Sequence, residues 1–377
     1  MSGIYDWRGR GKERLGVAVI GTGFMGSMHA RAMGQHALVF PGETRPEIRL
    51  VVDATPDLAR RAAAAWGVDR WTTDWAAAVE DDTIDVVDIC TPPNLHLAIG
   101  TAASAAGRHV YCEKPLGRNL AETVLLHAAV EKHHVASLVG FNYRWCPAVQ
   151  YAKELLHTGS LGEPFHFNAL YHSGTDHDAP WAWRHSRELA GYGALSDLGS
   201  HIVDMAQLLM GQISEAHGYV RTVVHERPYT GPDAAPNESR LVTNDDEFGA
   251  TWIFQSGCTG VADGSRIALG FRVRFAIEVH CTEGSLRWNT NRMNELEIYR
   301  RSDPRTERGF RTVYMGAEHQ WQRPFGIPSG LGIGYVESKM LEQRGFFNGI
   351  TEGTKCSPDM TDGLAVVSVL EQIAASS

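Results

Sequence analysis

The first 140 residues alternate short β-branched runs with stretches whose apolar positions recur at helical spacing. Runs 17–20, 48–53, 86–89, 109–112 and 136–139 read as strands, with helices over 25–33, 56–66, 94–106 and 120–133 between them. Such alternation predicts right-handed crossovers and a parallel sheet covered on both faces. After about residue 145 the rhythm changes. A helix over 147–157 ends at Thr158-Gly159, and a strand over 164–171, an irregular stretch 172–196 and a helix to Met210 follow. Partly alternating runs at 216–225, 247–254, 259–266, 272–280, 285–289 and 295–299 have no helices among them, which predicts an antiparallel sheet. Helices near 336–347 and 359–375 close the sequence, and the last is a candidate to pack back on the first domain. The expected fold is α/β plus α+β, in two domains spanning 1–143 and 144–377.

Gly21-Thr22-Gly23-Phe24-Met25-Gly26 follows the run 17–20 and opens a helix, the context in which a Gly-x-Gly-x-x-Gly turn holds a dinucleotide. Gly21 permits the tight turn, Gly23 lets the backbone approach a pyrophosphate, and Gly26 lets the helix sit close on the strand. The first domain is therefore expected to be an NAD-binding Rossmann domain. Asp53 ends the second strand 27 residues past Gly26, a long interval that fits a loop over 36–46. A carboxylate there accepts hydrogen bonds from the adenosine ribose and repels a 2′-phosphate, so NAD is favoured. Arg60 and Arg61 leave some NADP use open, and Asp53 has the plainer alternative of a solvated strand-end acid. The cofactor set is completed by Phe24 and Met25, by Thr91, Pro92, Asn94 and His96 after the run 86–89, and by Glu113 and Lys114 after 109–112.

Lys114 ends a strand at the carboxyl edge of the expected sheet, where open α/β sheets bind ligands. Pro115 raises a cis bond there, while the plain alternative is a surface lysine. Asp197 and His201 stand four apart at the start of a helix and so share a face. A histidine can take a hydroxyl proton near neutral pH with a carboxylate to orient it, although Asp197 could equally cap the helix and His201 alone reads more simply as a core histidine.

Composition narrows the partners. The chain is 43% apolar and 21% charged, with 35 basic against 44 acidic residues, a net charge of −9. That field suits neither a phosphate backbone nor an anionic membrane surface, so neither nucleic acid nor membrane is an expected partner. No segment approaches 18 uninterrupted apolar residues and the first fourteen resemble no signal peptide, which predicts a cytoplasmic protein. Six cysteines without a Cys-x-x-Cys pair read as reduced thiols. Asp176, His177 and Asp178 lack a second cluster to complete a metal shell, so no metal is expected.

Glu113-Lys114-Pro115, Gly140-Phe141-Asn142-Tyr143-Arg144, and the segment from Gly193 through Ser196-Asp197 and His201 to Asp204 together resemble the glucose-fructose oxidoreductase, inositol dehydrogenase and rhizopine-catabolism family over nearly the whole chain. The resemblance implies that Lys114, Asp197 and His201 form the catalytic group. His201 would be general base for a sugar hydroxyl, Lys114 would hydrogen-bond the developing alkoxide and touch the nicotinamide ribose, and Asp197 would anchor substrate or base. Residues 308–314 and 331–335 look like the subgroup that contains levoglucosan dehydrogenase, which implies hydride transfer from C3 of a pyranose or glycoside to NAD. Substrate residues would be Tyr143 and Arg144 together with His172, Trp183, Arg184 and Arg187, the last four in a loop where the chain departs from the family's pattern and ring specificity would be set. Arginines in that loop suit an anionic substituent, such as that of a sulfosugar, and the plain alternative is a solvated loop whose Trp181 and Trp183 pack on a sugar face or in the core. A second reading is an NAD-dependent glycosidase that oxidises C3 transiently, eliminates, adds water and returns the hydride. A third is a non-catalytic nucleotide-sensing regulator, against which the presence of Lys114 and His201 argues. The bare sheet of the second domain predicts a homodimer or homotetramer.

Overall fold

The computed structural model describes residues 4–231 and 234–377. The first part of the chain gives β1 (Arg14–Ile20), α1 (Phe24–Val39), β2 (Arg45–Val52), α2 (Pro56–Trp66), β3 (Trp71–Thr72), α3 (Ala76–Glu80), β4 (Val86–Ile89), α4 (His96–Ala105), β5 (His109–Cys112), α5 (Leu120–His133) and β6 (Ser137–Val139). Then follow α6 (Pro147–His157), β7 (Pro164–His172), α7 (Arg187–Ala190), α8 (Ser200–Met210), β8 (Ile213–Arg221), β9 (Glu226–Pro228), β10 (Ser239–Leu241), β11 (Glu247–Phe254), β12 (Thr259–Ser265), β13 (Arg274–Cys281), β14 (Gly284–Asn289), β15 (Glu295–Arg300) and β16 (Arg311–Tyr314). Helices α9 (Tyr335–Glu352) and α10 (Met360–Ala375) end it. The chain divides into two compact units, one of residues up to Trp145 with Gly334–Leu364, the other of Cys146–Ile333 with Ala365–Ser377.

In the first unit six parallel strands run in the order β3-β2-β1-β4-β5-β6. Strand order reverses between β1 and β4, which places the turns after these two strands side by side, with Cys90 N–H donating to the Ile20 carbonyl at 2.8 Å. Local signals set the helices. Thr55 caps α2 by accepting from Leu58 N–H with Pro56 in the first turn, and Asn119 caps α5 by accepting from Glu122 N–H. The strands are apolar on both faces because helices cover both, and Val17, Val19, Tyr111 and Leu138 pack in one core with Phe346, Phe347 and Ile350 of α9. The segment 334–364, read from the sequence as part of the second domain, thus belongs to the first unit. The division also falls inside the last helix, at Leu364/Ala365.

In the second unit an eight-stranded sheet runs β16-β15-β14-β13-β7-β12-β11-β8. Every pairing is antiparallel except β7 with β12. Alternation turns Phe167, Phe248, Phe254, Phe275 and Trp288 to the buried face, where ring pairs such as Tyr171–Phe275 at 5.1 Å hold the layer together. Asn168, Thr251, Ile253, Val261 and Asp263 stand exposed on the other face. Among the described residues no helix is long and apolar enough to cross a membrane.

Candidate active site

The turn after β1 is shaped by backbone collisions that only glycine avoids. Gly21 has φ +99°, and a Cβ on Gly26 would lie 1.9 Å from the Gly21 carbonyl oxygen. A Cβ at Gly23 would meet nothing within 4 Å, so the main chain there faces open space. Gly23 caps α1 with no side chain to satisfy the first N–H groups, and no acidic residue occupies the first turn. Main-chain donors at a helix start, on a turn with no side chain in front of them, fit a pyrophosphate.

Asp53 is fixed beside this turn, its Oδ2 accepting from Thr22 N–H at 2.7 Å and Thr22 Oγ1 at 2.5 Å, and its Oδ1 from Ala54 N–H at 2.7 Å. Arg60 and Arg61 both pair with Asp57, at 3.2 and 3.0 Å, which engages the two cations that left NADP open.

After β4, Thr91, Pro92 and Asn94 stay half-buried, but His96 turns wholly inward. Its ring nitrogens lie 3.1 Å from the Pro115 carbonyl and 2.9 Å from that of Thr91, so it ties the loops after β4 and β5 together from beneath rather than facing a cofactor. Glu113 departs from expectation in the same way: it is buried, and its Oε1 accepts from His29 Nε2 at 3.0 Å and Lys339 Nζ at 3.1 Å. Lys114 beyond it is half-buried, and Lys114–Pro115 is cis.

Two of the residues around these turns carry polar atoms that lack a protein partner. Thr91 Oγ1 and Asn142 Nδ2 are buried without a hydrogen-bond partner, a costly state that a bound polar group would relieve. Asn142 was not singled out from the sequence, although it lies within the Gly140–Arg144 segment. Its Oδ1 accepts from Tyr335 Oη at 3.4 Å, and Tyr335 lies near Phe24 and Tyr143, each 6.0 Å away between ring centroids. Arg144 is itself buried and donates to Ser357 Oγ at 2.8 Å, so it anchors the first unit internally instead of offering an open guanidinium to a substrate.

In the second unit Asp197 lies within a π-helical turn, Leu195–Gly199, that leads into α8, rather than at an α-helical start or in a capping position. Such turns close by i→i+5 bonds and recur at functional sites. The buried Asp245 carboxylate builds this one, accepting from Gly193 N–H at 2.6 Å and Leu195 N–H at 2.7 Å. Burial pushes the Asp245 carboxyl up against these hydrogen bonds. A Cβ on Gly193 would lie 1.9 Å from the Asp245 carbonyl oxygen, which accounts for that glycine. His201 follows in the first turn of α8, buried, its ring centred 6.0 Å from that of Tyr171.

Arg184 Nε stands 4.0 Å from Asp197 Oδ2, and its guanidinium lies 4.2 Å over the Trp183 ring. Arg187 stacks on Tyr192 at 4.5 Å. These engagements weaken the case for an anion clamp. His172 is excluded from the substrate set by strand alternation: Tyr171 faces His201, so His172 points to the opposite side of the sheet, where its Nε2 meets Asp263 at 2.5 Å. Among the described residues His29, Asp88 and Cys90 are close enough to suggest a metal, but His29 Nδ1 is hydrogen-bonded to both Asp88 oxygens at 2.9 Å.

Residues 15–141 match the oxidoreductase family with an NAD-binding Rossmann fold, and residues 149–287 match the GFO/IDH/MocA C-terminal domain. Levoglucosan dehydrogenase of Pseudarthrobacter phenanthrenivorans is 36% identical over 375 residues, 97% of this chain and 96% of its own. The chain belongs to the glucose-fructose oxidoreductase, inositol dehydrogenase and rhizopine-catabolism family. D-apiose dehydrogenase of Paraburkholderia graminis, another relative, is 30% identical over 299 residues, 78% of this chain and 72% of its own. Among solved structures, levoglucosan dehydrogenase in complex with NADH and levoglucosan superposes with a TM-score of 0.92 at 36% identity, covering 96% of this chain and 97% of that one. An NAD-binding oxidoreductase from Klebsiella pneumoniae does so at 0.90 and 38%, covering 97% of each. This family member is an NAD-dependent oxidoreductase with a Rossmann domain followed by a mainly antiparallel sheet domain.

Proposed function

We propose that the protein is a dehydrogenase of a pyranose sugar or its glycoside, removing hydride from ring C3. The observation that carries this reading is the chain-long similarity to levoglucosan dehydrogenase. NAD, when bound, accepts the hydride. Gly21, Gly23, Gly26 and the start of α1 hold the pyrophosphate, Asp53 holds the adenosine ribose, and Thr91 and Asn142 use their buried polar atoms on the remainder of the cofactor. His201 accepts the proton of the C3 hydroxyl at an imidazole nitrogen as the carbon–hydrogen bond breaks. Lys114 donates a hydrogen bond to the same oxygen, which lowers the cost of its developing negative charge. Asp197, steadied by Arg184, fixes a neighbouring hydroxyl. Trp183 supplies an aromatic face for the ring.

A panel of pyranoses and glycosides that includes levoglucosan, followed by NADH absorbance, tests this. Stoichiometric NADH is expected, and His201→Ala or Lys114→Ala should lower kcat by about 10²-fold or more, the scale of general acid–base contributions. A panel that yields no NADH with any sugar, or variants that turn over like the parent, would overturn the reading. The same assay reads the redox-neutral alternative, because a glycosidase releases aglycone from a chromogenic glycoside without accumulating NADH. We further propose that the exposed sheet face carries a homo-oligomer contact.

A further inference from the structure

The interior of the first unit holds a run of charged and polar groups that the proposed reaction does not use. It passes from Asp88 to His29 at 2.9 Å, to Glu113 at 3.0 Å, to Lys339 at 3.1 Å, to Glu342 at 2.6 Å and to the Tyr111 hydroxyl at 2.8 Å. All six residues are buried, and all but Glu113 have no exposure at all. Lys339 and Glu342 arrive on α9 together with Gln343, whose side-chain amide donates to the His29 carbonyl at 3.3 Å. Glu113 takes His29 and Lys339 on Oε1 and the main-chain N–H of Lys114 on Oε2 at 3.2 Å. A Cβ at Gly140 would lie 2.5 Å from Oε1, so the glycine that opens the 140–144 segment makes room for this carboxylate.

Burial pushes the Glu113 carboxyl up, but the Lys339 ammonium and His29 more than reverse that and hold it well below the usual carboxylate range. Burial likewise lowers Lys339, and Glu113 with Glu342 raises it above the ordinary lysine value. A buried carboxylate requires a counter-charge. Lys114 is the next residue in the chain and its charge also acts on Glu113.

We propose that Lys339 is a positioning residue for Lys114: as counter-ion of Glu113 it keeps that carboxylate from drawing the neighbouring Lys114 ammonium toward the interior and away from the substrate. The proposal rests on the reading of Lys114 as a residue that acts on substrate. Its distinctive consequence is charge compensation. Removing the Lys339 ammonium leaves Glu113 with His29 and Lys114, and neutralising Glu113 as well removes the pull.

The test uses the full chain with Lys339→Met, Glu113→Gln and the double variant, each checked for fold by circular dichroism and for cofactor binding by NADH fluorescence titration. Lys114 is labelled with a limiting amine-reactive reagent, and its rate is read by peptide mass spectrometry against exposed Lys132 and Lys153. In K339M, Lys114 should label at least about fivefold more slowly than in the parent, and in the double variant within about twofold of it, as expected when a buried charge is left unpaired and then removed. On a sugar that the parent oxidises, kcat should fall about tenfold in K339M with KM within about threefold, and recover in the double variant. Should K339M not fold, Lys339→Gln, which keeps a donor toward Glu113, carries the same expectation. A folded variant whose Lys114 labels at the parental rate overturns the proposal, and so does slowed labelling that Glu113→Gln fails to restore. Labelling requires no turnover, so a protein that oxidises no sugar overturns the dehydrogenase reading while the labelling result still decides the role of Lys339.

Discussion

His109 shows how a single buried side chain couples this fold to pH. Its Nδ1 accepts from Ala136 N–H at 2.9 Å, so the ring is neutral with its proton on Nε2, 2.6 Å from the Arg8 carbonyl. A second proton would break the first bond, and burial holds the pKa down to about 4. Burial lowers His36 and His185 to about 4 as well. An unfolded histidine takes its proton near 6.5, so between 6.5 and about 4 the unfolded chain binds more protons than the folded one, and stability falls as pH falls through that window. For His109 the loss reaches about 3 kcal/mol at most, at about 1.4 kcal/mol per pKa unit. His29 works in the opposite sense. Burial lowers it, but Asp88 and Glu113 raise it overall, so its contribution is complete below 6.5 and is lost as pH rises through its folded value. Thermal denaturation from pH 7 to 4.5 should show a steady drop in Tm, and a flat profile would count against neutral buried histidines. His36 has both ring nitrogens buried without partners. His36→Leu should therefore shallow the acid slope and raise stability at pH 7 by about 1 kcal/mol, the cost of an unsatisfied buried polar group.

At the scale of elements, legibility followed the length of the pattern. The parallel strands and their helices were readable because apolar runs and caps such as Thr55 and Asn119 agree with the tertiary answer. The helix α1 runs to Val39, six residues past the expected end at Met33, since nothing in 34–39 breaks it until Phe40 caps it. The strands β3, β9, β10 and β16 have only two to four residues, too few to show a period. The π turn under Asp197 was hidden because a carboxylate 48 residues further along, Asp245, creates it. Glycines were the most informative single residues, as the turn after β1 shows. Gly26→Ala forces a Cβ against the Gly21 carbonyl and should reshape the cradle, so NADH affinity in a fluorescence titration is expected to fall at least about tenfold while the far-UV spectrum is retained. An unchanged affinity would mean that the pyrophosphate lies elsewhere.

At the scale of the whole molecule the sequence showed two rhythms but not which unit each segment joins. Helical periodicity in 335–352 gives no address. The clue was chemical: Lys339, Glu342 and Gln343 are charged or polar yet wholly buried, which requires partners such as Glu113 and Tyr111. Arg144 and Glu113 were misplaced because a motif names residues without saying which way their side chains turn, and His172 because the register of β7 turns it away from His201. The exposed sheet face carries Tyr219, Ile253 and Val261 among polar neighbours. If copies of the chain associate through it, light scattering should give a dimer or tetramer mass, and Ile253→Asp with Val261→Asp should halve that mass without loss of secondary structure. A parental mass equal to one chain would dismiss the contact.

The ion pair between Glu113 and Lys339 spans 226 residues of sequence. At a translation rate of about 5–20 residues per second, the acid emerges from the ribosome roughly 10 to 45 s before its basic partner exists. During that interval Glu113 has His29 and Lys114 beside it but lacks the ammonium that holds it in the finished interior. Vectorial synthesis therefore cannot finish the first unit first. Its completion waits for the segment 334–364, which follows the whole sheet of the second unit in the chain.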